Sequence, residues 1–379
     1  MQSSNSRHMA LTFKTIQKHY TSLALLCFNT AVLLTVIIAL YLLLFTQQDT
    51  ANRVLTQYAD KLPTVYPELN GSEIEQLIHE TWSRQYAYAP YTHFIERPYN
   101  GTYVNINTNG IRHGLGPQQW PPSKDNYVIF IFGGSTTFGY GLPDNNTIPS
   151  NTYRILTEQQ DNKKVAVYNF GQSNYYSTQE MLLFTRLLQQ GITPDVAVFI
   201  DGINDFVYAD DTPAFTTSFK TMFEADYYTK AALRLLSSLH LSNTEAPAPM
   251  NVPTEAVIER YLRTKKVIAA LARDHEVRPV FVWQPAPTYK YNLTYHLFYT
   301  GDWGRIGQTR QGYGLIDKVR QQHDLGDDFV WCADIQRDAT EPLYVDMLHY
   351  GSNMSVMVAT CVVDGMTLEK RLKNSFITS

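Results

Sequence analysis

The sequence predicts a three-layer α/β/α fold, in which helices cover both faces of a parallel sheet, preceded by a transmembrane helix. Two observations indicate this fold. From Tyr127 onward, short apolar runs rich in branched and aromatic residues alternate with amphipathic helical segments. Near the amino terminus, a longer apolar run has few polar members. Strands that alternate with helices favour a parallel sheet, because each crossover places a helix on a face of the sheet.

The composition excludes one class of function and leaves others open. The chain has 379 residues, of which 44% are hydrophobic and 17% charged, which predicts one large domain plus an appendage. Its net charge is −4 and no basic run is interleaved with aromatic residues, so a nucleic-acid partner is not expected. The 26 tyrosines and 18 phenylalanines suit a sugar-stacking surface and an ordinary core equally well.

The first element is an apolar run from Leu23 to Phe45, which reaches about 34 Å at about 1.5 Å per residue, enough to cross a bilayer. A cleaved signal peptide has a shorter apolar region and a small-residue cleavage site, and neither is present. A buried core helix is the other alternative, and the length of the run argues against it. We therefore predict a transmembrane signal anchor over residues 22–46.

The charges that flank this anchor predict its orientation. Lys14 and Lys18 precede it, and Asp49 follows it. Positively charged flanks stay preferentially in the cytoplasm, so we expect residues 1–21 to form a cytoplasmic tail. The protein is then a single-pass protein of the cell membrane, and the chain after the anchor is periplasmic or extracellular.

A membrane-proximal segment, residues 47–125, follows the anchor. Its helical period begins near Ser72, which suits an N-cap, with Glu75 completing a capping box. Residues 103–112 alternate as a strand does and turn at Asn109-Gly110, which predicts a hairpin. We expect this segment to pack on the main domain rather than to form a separate one.

The main domain, residues 126–365, contains the alternating pattern and is followed by a C-terminal tail, 366–379. Strands are predicted over 127–132, 165–171, 196–202, 279–283 and 329–335, and helices over 147–160, 178–190, 253–275, 312–323 and 352–363. Residues 206–252 interrupt the pattern, and we interpret them as an insertion over the strand ends, where it could cap a pocket. Cys332 and Cys361 either pair as a disulfide or remain buried thiols, and the sequence leaves both open.

Five polar or glycine residues at the predicted strand ends and one later turn suggest a catalytic site. A serine nucleophile needs a base within hydrogen-bond reach, and that base needs an acceptor that orients it. Ser135 follows the first strand, and Asp346 and His349 stand three residues apart on one tight turn. The backbone N–H groups of Ser135 and Gly171 and the side-chain amide of Asn204 could form an oxyanion hole.

Each of these residues also has a structural interpretation. Ser135 could belong to an ordinary strand-ending turn with Gly133 and Gly134, and Gly171 could serve only a tight turn. Asn204 could cap the turn after the third strand, and His349 could be a helix-terminal residue without a role.

The order of these residues resembles the SGNH (GDSL-type) hydrolase superfamily, in which Ser, Gly, Asn and His lie in four separated blocks. Ser135 matches the nucleophile, Gly171 the glycine, and Asn204 the asparagine in its G-x-N-D setting. Asp346 and His349 match the final D-x-x-H block. The resemblance implies that residues 126–365 form the flavodoxin-like sheet of an SGNH hydrolase domain.

One position departs from the superfamily pattern: Gly134 stands where the namesake motif has aspartate. The resemblance implies a membrane-anchored bacterial member with a Ser135-His349-Asp346 triad that needs neither metal nor cofactor. It further implies an O-acyl ester substrate on a cell-surface glycan or an acylated lipid. Two alternatives remain: acyl transfer to a surface polysaccharide through the same acyl-serine, and a non-catalytic module that binds envelope glycan.

Overall fold

A computed structural model describes residues 2–45, 50–159, 164–224 and 252–377 of the chain. Two units are distinguished by their internal contacts. One comprises residues 1–48 and 220–245, and the other comprises residues 49–219 and 246–379. Of the predicted insertion, residues 206–252, the structure describes the part up to Glu224, which includes a helix from Thr216 to Glu224. The prediction that the insertion caps a pocket concerns residues that largely lie outside the described ones.

The first unit contains a long helix from Gln2 to Phe45. Its stretch from Gln17 to Tyr41 has a mean hydropathy of 2.6, and by length and composition it could cross a membrane. Large apolar side chains such as Leu26 and Phe28 are exposed along this stretch. Such a surface suits an apolar environment better than water, because each exposed apolar group has an unfavourable contact with solvent.

The second unit is built around a five-stranded parallel sheet, which four shorter strands precede. The strands are β1 Tyr86–Ala89, β2 His93–Glu96, β3 Tyr99–Asn100, β4 Asn105–Ile106, β5 Tyr127–Gly133, β6 Val165–Gly171, β7 Val196–Asp201, β8 Arg278–Trp283 and β9 Phe329–Trp331. The parallel sheet has the strand order β6-β5-β7-β8-β9, and the shorter strands form two antiparallel pairs, β1 with β2 and β3 with β4. Strands β5, β6 and β7 are almost wholly buried, which explains why their sequences are apolar apart from Asn169 in β6 and Asp201 at the end of β7.

Helices cover both faces of this sheet, so the predicted three-layer fold is confirmed. On one face, the helices Ile148–Gln159 and Ser352–Ile377 pack against the sheet. On the other face, the helices Ser177–Gln189 and Thr254–Asp274 do so. The remaining α-helices of the described chain are Thr50–Gln57, Leu62–Val65, Gly71–Trp82, Ser135–Phe138, Ile203–Val207 and Gln308–Gln322.

Two boundaries differ from the predictions. The last helix continues to Ile377, through the residues that were predicted to be a tail. The helix Gly71–Trp82 is capped by Asn70, whose side chain accepts hydrogen bonds from the N–H groups of Ser72 and Glu73, while Glu73 completes the capping box. The prediction of Ser72 with Glu75 was therefore wrong by two residues. Asn is as good an N-cap as Ser, and only the path of the chain decides between adjacent candidates.

The membrane-proximal segment joins the sheet through a single antiparallel bridge between Arg112 and Asn169 of β6. Ahead of that bridge, the chain reverses at Gly110, whose φ is +74°, and Ile106 pairs with Arg112. The Arg112 guanidinium is fully buried and donates hydrogen bonds to the carbonyls of Phe138 and Gly139. This segment thus reaches the loop that follows Ser135.

Cys332 and Cys361 form a disulfide with Cα atoms 6.1 Å apart. It links the residue after β9 to the helix Ser352–Ile377, which packs across that edge of the sheet. Of the two alternatives that the sequence left open, the structure contains the disulfide.

Candidate active site

Ser135 is the first residue of a short helix that begins where β5 ends. The turn between them has no room for side chains. A Cβ atom on Gly133 would lie 2.0 Å from Thr137 Oγ1, and one on Gly134 would lie 2.4 Å from Asn204 Nδ2. An aspartate at 134, as in the namesake motif, would therefore displace the Asn204 amide from its place beside Gly134.

The structure brings Ser135 and His349 together across 214 positions of sequence, with Oγ and Nε2 2.8 Å apart. His349 Nδ1 lies 2.6 Å from Asp346 Oδ2. The other carboxylate oxygen of Asp346 accepts the backbone N–H groups of Leu348 and His349, each at 2.7 Å. This is a continuous path of hydrogen bonds from a hydroxyl through an imidazole to a carboxylate.

The turn that carries Asp346 and His349 is held at both ends. Val345 N–H donates to the carbonyl of His349 at 2.9 Å, and Tyr344 pairs with Tyr350 in an antiparallel bridge. The helix Ser352–Ile377 follows at once and anchors the turn to the sheet. The His349 ring is consequently fixed relative to β5, although both belong to separate parts of the sequence.

The surroundings of Asp346 favour its ionised form. Burial raises the pKa of this carboxyl, but the charge of His349 and the hydrogen bonds from the His349 ring and two backbone N–H groups outweigh it, so the pKa lies below its ordinary value. An ionised Asp346 accepts from Nδ1–H and leaves Nε2 as the basic nitrogen toward Ser135. Ser135 is only 8% exposed, so its hydroxyl lies in a nearly closed site.

Two of the predicted oxyanion donors, the Asn204 amide and the Gly171 N–H, differ in how far other hydrogen bonds already occupy them. The Asn204 amide donates one hydrogen to the carbonyl of Tyr175 at 2.7 Å, and an amide carries two. Gly171 N–H donates to the side chain of Asn169 at 2.9 Å, so this donor already has a partner within the protein. A Cβ on Gly171 would lie 2.2 Å from the backbone nitrogen of Phe138, so glycine is needed there for close packing.

Three further residues near the site were not predicted from the sequence. Tyr140 and Trp82 contact the His349 ring, and neither type signals such a role in a chain with 26 tyrosines. Asn174 has φ of +60° in the loop whose next residue, Tyr175, holds Asn204. Asn is among the few residues that adopt this backbone readily, and that preference was the available signal.

Beneath Asn204 lies a buried acidic cluster, which we define as Glu180, Asp201 and Asp205. Burial, followed by the charges of neighbouring carboxylates, raises the pKa of Glu180 and of Asp201 well above their ordinary values. Asp205 accepts a hydrogen bond from Ser177 Oγ at 2.6 Å and lies 4.0 Å from the guanidinium of Arg260. Across the described residues, no group of three or more His, Cys, Asp and Glu side chains is arranged to hold a metal ion.

No protein-family model and no curated protein matches the chain. Among solved structures, it is similar to a member of the lipolytic protein G-D-S-L family from Veillonella parvula, at 12% identity and a TM-score of 0.37, covering 62% of this chain and 96% of that one. An acetyl xylan esterase from Geobacillus stearothermophilus gives 13% identity and a TM-score of 0.39, covering 63% and 94%. A lipase from a goat rumen metagenome gives 11% and 0.40, covering 63% and 97%.

The solved structures named above are thus lipolytic proteins and esterases. A shared fold does not imply a shared function, which resides in the residues of the site itself.

Proposed function

We propose that this protein is a membrane-anchored serine esterase of SGNH (GDSL) type that hydrolyses O-acyl esters. The observation that carries the proposal is the hydrogen-bonded path from Ser135 Oγ to His349 Nε2 and from His349 Nδ1 to Asp346. A hydroxyl at 2.8 Å from a neutral imidazole nitrogen can lose its proton to that nitrogen as it attacks a carbonyl carbon.

The reaction proceeds in two halves. His349 Nε2 takes the proton of Ser135 while Oγ bonds to the ester carbon, and the resulting imidazolium returns that proton to the leaving alcohol. The second half repeats the sequence with water, which releases the acid and restores Ser135. Asp346, ionised throughout, stabilises the imidazolium in both halves.

Negative charge develops on the carbonyl oxygen in each half and needs hydrogen-bond donors. The N–H at position 135 lies at the start of a helix, and Asn204 retains a second amide hydrogen beside the bond to Tyr175. We assign these two donors to the oxyanion. Gly171 joins them only if its N–H is released from Asn169.

The N-terminal helix supports anchoring of the enzyme in the cell membrane, with the amino end in the cytoplasm and the catalytic domain periplasmic or extracellular. For an esterase in that place, acyl groups on a cell-surface glycan or an acylated lipid are the substrates we propose. The acyl-serine route uses no metal or cofactor. If a sugar hydroxyl replaces water in the second half, the same site becomes an O-acyltransferase.

A fluorophosphonate probe on the full-length protein in detergent tests this proposal, because the probe bonds covalently to an activated serine. We expect labelling of the wild type and of Ser72→Ala, an exposed serine in the same unit, and none of Ser135→Ala. Absence of labelling in the wild type would instead support the non-catalytic, glycan-binding alternative. Products from an acetylated glycan, with and without an added sugar acceptor, then separate hydrolysis from acyl transfer.

A further inference from the structure

The imidazole of His349 is flanked by two aromatic side chains. The ring of Tyr140 stacks on it, with centroids 5.3 Å apart and planes at 23°. Trp82 meets it edge to face, with centroids 6.3 Å apart and planes at 80°. The orientation of the base is therefore restricted by neighbours other than its hydrogen-bond partner Asp346.

Tyr140 is itself held in place by the membrane-proximal segment. Its hydroxyl donates to Glu96 at 3.2 Å and lies 3.1 Å from the hydroxyl of Tyr86. Glu96 is fully buried and pairs with Arg84 at 3.3 Å. The guanidinium of Arg84 also lies over the Tyr140 ring, 5.4 Å from its centroid. Tyr140 is only 8% exposed, so its ring has little freedom to move away from His349.

We propose that Tyr140 and Trp82 are positioning residues for His349, and that residues 71–96 complete the catalytic site. This inference rests on the proposed esterase mechanism, in which His349 becomes positively charged. A cation over an aromatic face is attracted by the negative face of the ring, whereas the neutral imidazole gains less. The stack therefore favours the imidazolium of the transition state over the resting base, and it holds Nε2 toward Ser135.

Other titratable groups surround His349, and their charges bear on this argument. They are Asp346 on its own turn, Tyr58 and Tyr66 from the membrane-proximal segment, His296 from the loop after β8, and the Glu96–Arg84 pair behind Tyr140. Burial lowers the pKa of His296 to about 4, and burial and the charge of Asp346 raise the pKa of Tyr66, so neither carries charge near pH 7. Asp346 thus supplies the direct ionic contact of His349, and the aromatic stack adds to it.

Two substitutions of Tyr140 separate the ring from its hydroxyl. Tyr140→Phe keeps the stacked ring and loses the bonds to Glu96 and Tyr86, whereas Tyr140→Leu loses the ring. For the full-length protein we expect Tyr140→Leu to lower kcat about three- to tenfold with little change in KM, the range expected for one cation–π contact. Because the variant lacks the ring that favours the imidazolium, the acid limb of its pH–rate profile should lie at lower pH than in the wild type. In Tyr140→Phe the ring is still held by burial and by Arg84, so this variant should keep the pH profile of the wild type and lose less kcat than Tyr140→Leu.

If Tyr140→Leu does not fold, the same comparison of an aromatic with an aliphatic side chain can be made at Trp82, with Trp82→Phe and Trp82→Leu. A pH profile that is the same in the leucine and phenylalanine variants of whichever position folds would overturn the positioning role. A purely structural role would lower the amount of folded enzyme without moving the profile.

A readout without turnover keeps this inference separate from the proposed activity. Nitrogen NMR of the His349 ring reports, through the chemical shift of Nε2, the hydrogen bond between this nitrogen and Ser135. Asp346 should keep the proton on Nδ1 in all three proteins, whereas the Nε2 shift should match the wild type in Tyr140→Phe and change in Tyr140→Leu. An identical Nε2 shift in all three proteins would contradict positioning by the stack. A wild type that no fluorophosphonate labels would overturn the esterase, whatever the Nε2 shifts are.

Discussion

Asp346 and the acidic cluster both lie near the carboxyl ends of the strands, and their surroundings favour opposite protonation states. Asp346 accepts hydrogen bonds from the His349 imidazole and two backbone N–H groups, and its pKa is lowered. Glu180 and Asp201 face each other away from water, and their pKa values are raised. Burial raises the pKa at both places, so burial alone does not decide the charge. The available partners decide it, and those of Asp346 favour the ionised form.

Removal of the His349 imidazole should have the largest effect on activity of the substitutions considered. In His349→Ala, Ser135 loses its proposed base and Asp346 loses the imidazole that helps to lower its pKa. We expect kcat to fall at least about a thousandfold with the fold intact. Ester turnover and a circular-dichroism melt of the full-length protein measure the two effects. Near-normal turnover would remove His349 from the role of base.

Asn204 lies between the two regions, since its amide is close to Gly134, the residue before Ser135, while the adjacent Asp205 belongs to the acidic cluster. Asn204→Ala removes the donor that we assign to the oxyanion, and kcat should fall about 10²- to 10³-fold with a smaller change in KM. Asn174→Ala serves as a comparison, because it alters the neighbouring loop without removing the Asn204 amide. If both variants lose activity equally, the loop geometry and not the amide is responsible.

The ionised state of Asp346 has a consequence for stability in acid. A carboxyl whose pKa is lower when folded stabilises the fold above its unfolded pKa, and this contribution is lost as the pH falls through the folded value. The wild type should therefore exceed Asp346→Asn in unfolding free energy by a margin that is full near pH 6 and shrinks below about pH 4. Urea unfolding at a series of pH values measures this margin. A margin that widens toward low pH would contradict the assignment.

A substitution in the acidic cluster should have the smallest effect. Its effect on stability should depend on pH in the opposite sense to that of Asp346→Asn. A carboxyl whose pKa is raised on folding stabilises the fold below its unfolded pKa, and this contribution is lost as the pH rises toward the folded value. Glu180→Gln mimics the protonated form, so its stability near pH 4 should stay within about 1 kcal/mol of the wild type. Toward pH 8 the variant should gain relative to the wild type. The same urea series tests this, with the exposed Glu75→Gln as control.

The main features of the fold could be predicted because they are repeated local patterns. Buried parallel strands contain continuous apolar runs, as in β5 and the first five residues of β7, and amphipathic helices repeat with their own period. The pairing of Asp346 with His349 was equally accessible, because three residues on a tight turn place the two side chains together. Helix boundaries were less accurate, since Asn70 and Ser72 are both good caps and the chain path selects one.

By itself, the sequence determined the alternation of strands and helices, the apolar N-terminal helix and the residue types of the Ser135 site. Tertiary structure alone decided the Cys332–Cys361 pairing, the partner of the Gly171 N–H, the aromatic flanks of His349 and the protonation of the acidic cluster. The reason is physical: periodicity and turn preferences act over a few residues, whereas contacts and pKa values depend on atoms that meet only when distant segments pack together.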